Sequence, residues 1–533
     1  MSNILKRFGA VINRAVINKR KSLLLCFFSG FLGALPYFCE KLFILTFLSL
    51  FCQFYIAIKQ KNECSRIFTP FFSYFIGFYV PLYIFLSELY PYERFGFSGI
   101  QAIFVLVCSC IAIPLLHATV ESSLMLLTRL FKNDSWSILT YAAIWVIGEW
   151  ILSLGMLAFP WGGTAVSLTG FLPYLQTASL FGKFFITFVT AAGCYALALA
   201  VYNKIKVVAY IGISVILFNI VFGTVLWYIP TDKKDPLSVS AVQGNILSNE
   251  KWQSGNSTLI FNRYVEMTKQ AALNGADIVV LPESAIPQYF YPNGDIHEAL
   301  ADIARQYDVT VICGVHYYDK ITKLKYNSVI AIYPDGSLSK HYDKRHLVPF
   351  GEFIPFADDI GKLVPFVGDF NKSSSTLTEG TDPIVIDTQY GKVAPLVCFD
   401  SIFPQFAREG VSNDAELIAV VTNDSWFNDS AGIYTHLRHA QLRAIENRRY
   451  ILRAANTGVS AFINERGQII NQSEPLRIET VTSEVSPITS VTLYTKTGDI
   501  VLYISFVLVL INILKYIRSI KNGKNTTSSN RNL

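Results

Sequence analysis

Charge is what this chain has least of. Only 16% of its 533 residues are Asp, Glu, Lys or Arg, while 52% are hydrophobic and the mean hydropathy is +0.37. Ordinary globular chains carry about 25% charged residues, so a wholly water-facing protein is excluded. Cysteine is almost missing from the polar part of the chain. Seven of the nine (Cys26, Cys39, Cys52, Cys64, Cys108, Cys110 and Cys194) lie in or beside apolar runs, leaving Cys313 and Cys398. Two cysteines make no disulfide framework, although one bridge between them stays open in an oxidising compartment. No solenoid-like repeat is visible, and no small-residue cleavage site follows the first apolar run, which therefore reads as a retained anchor.

What is present in abundance is apolar sequence of membrane-spanning length, about 20 residues per segment. Seven candidate spans precede residue 230, at 22–38, 42–58, 67–89, 98–118, 138–158, 178–202 and 207–228, and an eighth covers 498–515. The sequence thus predicts a polytopic helical bundle (1–230) with a last helix at 498–515. Residues 236–490 between them have the mixed composition of a soluble domain, and residues 521–533, rich in Asn, Thr and Ser, read as a disordered tail. Lys6, Arg7, Arg14, Lys19, Arg20 and Lys21 precede the first span. Lys59, Lys61, Arg66, Arg129, Lys132, Lys204 and Lys206 follow even-numbered spans, and Lys515, Arg518, Lys521 and Lys524 follow the last. By the positive-inside rule both termini are cytoplasmic and the 236–490 domain lies outside. The net charge of +6 is accounted for by this topology, with no nucleic-acid partner.

The outer domain alternates strand and helix patterns. "LSVSAVQGN" and "ADIVVLPES" flank an amphipathic helix from about Thr258 to Asn274; a helix near Ile296–Gln306 precedes the β-branched run holding Cys313, read as a small buried hydrophobe. "SVIAIYPDGSLSKHYDK" and "DPIVIDTQYGKVAPLVCFD" read as hairpin-like pairs, and a polar helix from about Tyr434 to Arg449 follows "ELIAVVTNDSWF". Apolar strands interleaved with helices predict a layered α/β sandwich.

Three groups suited to acyl transfer stand at strand ends or beside the turns that follow: Glu283 in "VVLPES", Lys344 in "HYDKRHLVPFGEF" and Cys398 in "APLVCFD". Together they offer a base, a cation for developing negative charge, and a nucleophile whose thiolate such neighbours favour. Each taken alone has another reading: a solvated strand end, a surface lysine, a buried structural thiol.

In this order and context the three resemble the nitrilase (carbon–nitrogen hydrolase) superfamily. "QGN" with Lys251-Trp252, "LPES", "YDKRHLVPFGEFIPF", "CFDSIFP", "NDSWFNDSAG" and "AQLRAIENRRYILRAANTGVSA" are similar to the apolipoprotein N-acyltransferase family within it. The resemblance implies an αββα domain inserted before the last span of an inner-membrane protein, with Glu283 as base, Lys344 as positive stabiliser and Cys398 as nucleophile. It implies a ping-pong transfer without metal, nucleotide or other cofactor. The donor would be a phospholipid such as phosphatidylethanolamine, and the acceptor the α-amino group of an S-diacylglyceryl cysteine on an apolipoprotein. Glu352 matches a supporting carboxylate, and Trp252, Trp426 and Phe427 match positions near substrate, where aromatic anchoring at a bilayer is the other reading. The family's Cys-Tyr-Glu is Cys398-Phe399-Asp400 here, which changes reach and hydrogen bonding beside the nucleophile. Phe159-Pro160-Trp161-Gly162 resembles a family loop, and Glu149 is an ionisable group within a span, either functional or a helix-packing partner. A tethered amidase using water and a transporter with an outer binding domain are the competing classes; inverted repeats or midplane polar groups would mark the latter.

Overall fold

The computed structural model describes residues 19–64, 66–90, 99–131, 135–251, 253, 255–349, 351–353, 355–356, 362 and 377–529. Helices occupy all eight places where apolar runs predict them: Lys19–Phe38, Ile44–Cys64, Phe68–Leu82, Ile100–Leu130, Ser135–Ile151, Lys183–Asn203, Lys206–Tyr228 and Ile500–Ser529. Five are long and apolar enough to cross a membrane: Arg20–Phe38, Ile100–Leu130, Lys183–Asn203, Lys206–Tyr228 and Ile500–Lys521. Ser135–Ile151 stops short of the 138–158 expected, because Gly155 at φ 73° turns the chain and Phe159–Gly162 folds back into the bundle. The final helix runs past 515 through residues 521–529, whose composition reads as disordered; extending an existing helix costs far less than starting one. The Lys19–Phe38 and Phe68–Leu82 helices cross at Gly30 and Gly77, where any Cβ would overlap the carbonyls of Tyr74 and Phe27 respectively.

The polar segment builds two mixed sheets. One runs β13(Glu479–Val485)-β1(Leu237–Gln243)-β2(Ile278–Val280)-β4(Thr310–Tyr318)-β5(Lys325–Ile332)-β6(Tyr342–Asp343), with β3(Tyr289–Phe290) also on β4. The other runs β12(Ile469–Gln472)-β11(Ala461–Ile463)-β10(Tyr450–Ala455)-β9(Leu417–Thr422)-β8(Gly391–Val397)-β7(Ile386–Thr388). Both predicted pairs are antiparallel ladders, β5 with β6 across the Tyr333–Gly336 turn and β7 with β8.

Strand alternation divides the apolar residues among three cores. Ile312 of β4, Val393 and Val397 of β8, and Leu417 and Ala419 of β9 face a core shared by the two sheets. Val311, Cys313 and Val315 pack with Ile260, Tyr264 and Leu300 of the Asn256–Leu273 and Asp295–Tyr307 helices. Ala394, Leu396, Ile418 and Val420 pack with Ala407 and Val411 of Pro404–Ser412 and with Leu437 and Ala440 of Ala431–Asn447. Cys313 is buried, as its β-branched setting predicts, and both Cys313 and Cys398 are free thiols.

The Ala431–Asn447 helix, polar in sequence, is buried along nearly its whole length because it lies between the second sheet and the membrane helices. Several of its polar groups find partners there. Arg438 donates to Pro36 O (2.8 Å), His439 pairs with Trp161 O (3.1 Å), and the Lys183 amide donates to Glu446 (3.1 Å), which also binds Arg443 (2.9 Å). Phe399 stacks on Phe159 (5.6 Å), and Phe427 meets Phe85 (5.1 Å) and Trp161 (5.8 Å). Removing one member of a buried pair strands the other, at about 3–5 kcal/mol. Arg443→Met should therefore lower the melting temperature of the detergent-solubilised protein by several degrees, and adding Glu446→Gln should recover part of it; an unchanged melting curve would show that the pair does not hold the two parts together.

Candidate active site

Glu283 follows the end of β2, Lys344 follows β6, and Cys398 follows β8, so the segments just past strands of both sheets carry the three groups. The centre is a buried ammonium. Lys344 Nζ lies 2.8 Å from Glu352 Oε1 and 3.3 Å from Glu283 Oε1, with Lys344 1% and Glu283 6% exposed. Burial opposes the charge on Lys344, but Glu283 and then Glu352 outweigh it, and its pKa stands well above the ordinary lysine value.

The carboxylates are themselves fixed. Asn327 Nδ2 donates to Glu283 Oε1 (2.7 Å) and approaches Glu352 Oε1 (3.3 Å). The Asn423 amide donates to Glu283 Oε2 (2.8 Å), and the Val348 amide to Glu352 Oε2 (2.8 Å). Asn327 is a residue that sequence reading missed; it lies in the polar first half of β5, between Tyr326 and Ser328, where nothing in the strand pattern sets it apart.

Cys398 leaves β8 at φ 49°, a left-handed conformation uncommon for a non-glycine residue, and enters the helical turn Cys398–Ile402. Its carbonyl is held by Ser401 Oγ (2.8 Å) and His436 Nε2 (3.1 Å). His436 Nδ1 contacts Asp424 Oδ1 (2.9 Å), and Asp424 Oδ2 accepts from Arg453 (2.7 Å), all fully buried. Burial opposes the Asp424 carboxylate, yet Arg453 and His436 bring it down to about 2. Cys398, Asp424 and His436 are also the metal-ligand types that cluster here, but the imidazole and carboxylate already serve this network. Neither His436 nor Arg453 was predicted, since nothing in a helix or strand pattern announces a partner from another element.

The thiol itself differs from expectation. Burial and then Glu283 push the Cys398 pKa well above the ordinary thiol value, and Lys344 only partly reverses this. An upward shift of this kind increases the demand on a neighbouring base for any reaction at the sulfur.

Asp400 occupies a position expected to bear on substrate. It is fully buried and accepts from Tyr342 OH (2.9 Å), the His346 amide (2.9 Å) and the Arg345 amide (3.2 Å), gripping the backbone just after Lys344. Burial lifts it to about 7, with Lys344 and these donors opposing. Phe399 and Phe427 sit in the aromatic contact with the membrane part, Trp426 is half-buried, and Trp252 lies outside the described residues. Glu149 accepts from Thr164 Oγ1 (2.6 Å) and Thr187 Oγ1 (2.8 Å), the packing role that was one of its two readings.

Comparison with known proteins bears on this geometry. The carbon–nitrogen hydrolase family matches residues 238–490, and the apolipoprotein N-acyltransferase N-terminal domain matches residues 29–196. The chain is 30% identical over 376 residues to the apolipoprotein N-acyltransferase of Geobacter metallireducens, covering 68% of this chain and 71% of that one. It is 31% identical over 389 residues to that of Vibrio cholerae (71% and 75% covered), and 28% identical over 508 residues to that of Haemophilus influenzae (91% and 93% covered). The chain belongs to the apolipoprotein N-acyltransferase family, with a carbon–nitrogen hydrolase domain set between its apolar helices.

Proposed function

We propose that this protein moves an acyl chain from a membrane phospholipid to the α-amino group of an S-diacylglyceryl cysteine on an apolipoprotein, through a thioester on Cys398. The observation that carries this reading is the Lys344 ammonium held between Glu283 and Glu352 beside the Cys398 thiol, at the junction with the membrane helices.

In the first half-reaction Glu283 takes the Cys398 proton as sulfur bonds to the ester carbonyl carbon, and Lys344 steadies the developing oxyanion. Collapse breaks the carbon–oxygen bond, and the leaving alkoxide takes the proton from Glu283 to depart as a lysophospholipid. In the second, the neutral amine adds to the thioester, gives its proton to Glu283, and the thiolate leaves and recovers it. Glu352 and Asp400 are positioning residues: one holds the Lys344 ammonium, the other the backbone that carries it.

The core arrangement supports an αββα sandwich for 236–490, and the eight helices support eight spans (seven within 1–230 and one at 498–515), with the domain on the periplasmic side and both termini cytoplasmic. Holding the thiol at the lipid surface raises the effective concentration of both lipid substrates. Phe399 and Phe427 seat the domain on the bundle, and we assign Trp252 and Trp426 to substrate contact on the family resemblance alone.

Purified protein given phospholipid and a diacylglyceryl-cysteine peptide should form N-acyl peptide, and Cys398→Ala should form none while staying folded. Free fatty acid as the sole acyl product would favour the amidase-like alternative, and N-acylation by Cys398→Ala would remove the thioester route. Asp400→Asn replaces an acceptor facing three donors by an amide, and should lower kcat by ~10–100-fold with KM little changed. An equal loss confined to KM would place Asp400 at the substrate instead.

A further inference from the structure

Lys251 ends a short helical turn, Ser248–Lys251, that follows β1. Its side chain is buried, 3% exposed, yet its ammonium has no hydrogen-bond or ion-pair partner among the described residues. Two other buried cations of the domain are matched: Lys344 by Glu283 and Glu352, and Arg453 by Asp424. Lysine is almost never buried without a partner, because the dehydrated ammonium loses its hydrogen bonds to water.

Lys251 follows β1, which pairs parallel with β2, and Glu283 follows β2, so both leave neighbouring strands at the same end of the sheet. Burial lowers the Lys251 pKa to about 8, against the pull of Glu283. His316 is brought down to about 4 by burial and then by the charge on Lys251. His316 lies opposite Asn327 across β4 and β5, and Asn327 is the amide that holds both carboxylates. Glu283 is already satisfied by Lys344, Asn327 and the Asn423 amide, so neutralising it does not explain a second lysine.

An ammonium with three unused donors takes a ligand rich in acceptor oxygens and negative charge. A hydrocarbon chain offers no acceptor, and the amine of the acyl acceptor would be repelled when protonated. The phosphodiester of the donor lies a few bonds from the ester that reacts. We propose that Lys251 binds the phosphate of the phospholipid donor and sets the preference for phosphate-bearing over neutral acyl esters. This rests on the reading above that a phospholipid is the donor.

The test compares kcat/KM for acylation of Cys398 in the full-length protein by two probes with the same acyl chains, phosphatidylethanolamine and diacylglycerol. The ratio of the two does not depend on how much of a preparation is active. Wild-type protein should favour the phosphodiester. Lys251→Met should cut its kcat/KM by ~10–100-fold while changing diacylglycerol by less than about threefold, and Lys251→Arg should keep most of the preference. A Lys251→Met ratio equal to wild type overturns the assignment, whether both rates fall together or neither does. Should Lys251→Met not fold, Lys251→Gln carries the same comparison, and equal use of the two donors by wild type overturns the assignment alone. If phosphatidylethanolamine does not acylate wild-type Cys398, the donor reading fails and this inference falls with it. If it does, and the variants keep the wild-type ratio, only the role of Lys251 is lost.

Discussion

The site depends on one buried ammonium shared by two carboxylates. Burial alone would press Lys344 to shed its proton, and the two carboxylates beside it reverse this. Together they keep a positive charge and a proton acceptor side by side in a dehydrated place. Asn327 and the Asn423 and Val348 amides then use the remaining carboxylate lone pairs, so the cluster is fixed before any substrate arrives. Preorganisation of this kind is what makes charge stabilisation effective in a low-dielectric site.

The same logic reaches outward through backbone. Cys398 is turned out of β8 at a positive φ, and its carbonyl is pinned through Ser401 and His436 to the Asp424–Arg453 pair. Two residues on, Asp400 binds the amides that follow Lys344. Cys398 and Lys344 are thereby registered to each other by one turn of chain. Phe399, between them in sequence, stacks on Phe159 of the membrane part, and the buried Ala431–Asn447 helix fastens the second sheet to the same surface. The reactive edge is therefore tied to the apolar helices by side chains adjoining the nucleophile.

Much of this was legible in the sequence where the signal is local. Strand alternation, turn residues and apolar run lengths located the elements, and Glu283, Lys344, Glu352 and Cys398 stand in strand ends or adjoining turns where reactive groups are exposed to one another. What was not legible depends on partners distant in sequence. The Ala431–Asn447 helix has the composition of a solvated helix, and only contacts with Pro36, Trp161 and Lys183 account for its burial. Asp400 reads as a substrate-facing acid until the amides of Arg345 and His346 are seen on it. The upward shift of the Cys398 thiol is a property of its surroundings, and no property of the residues beside it in sequence predicts the sign.

In the proposed function the acyl group passes through the Cys398 sulfur, beside the carboxylate and ammonium of Glu283 and Lys344. The most direct measurement is mass spectrometry of the purified protein after exposure to phospholipid without acceptor, followed by proteolysis to locate any adduct. The account predicts one acyl chain on the peptide containing Cys398, labile to hydroxylamine and discharged when diacylglyceryl peptide is added. An adduct on another residue, or acyl transfer that proceeds with no adduct accumulating or being trapped at Cys398, would contradict it.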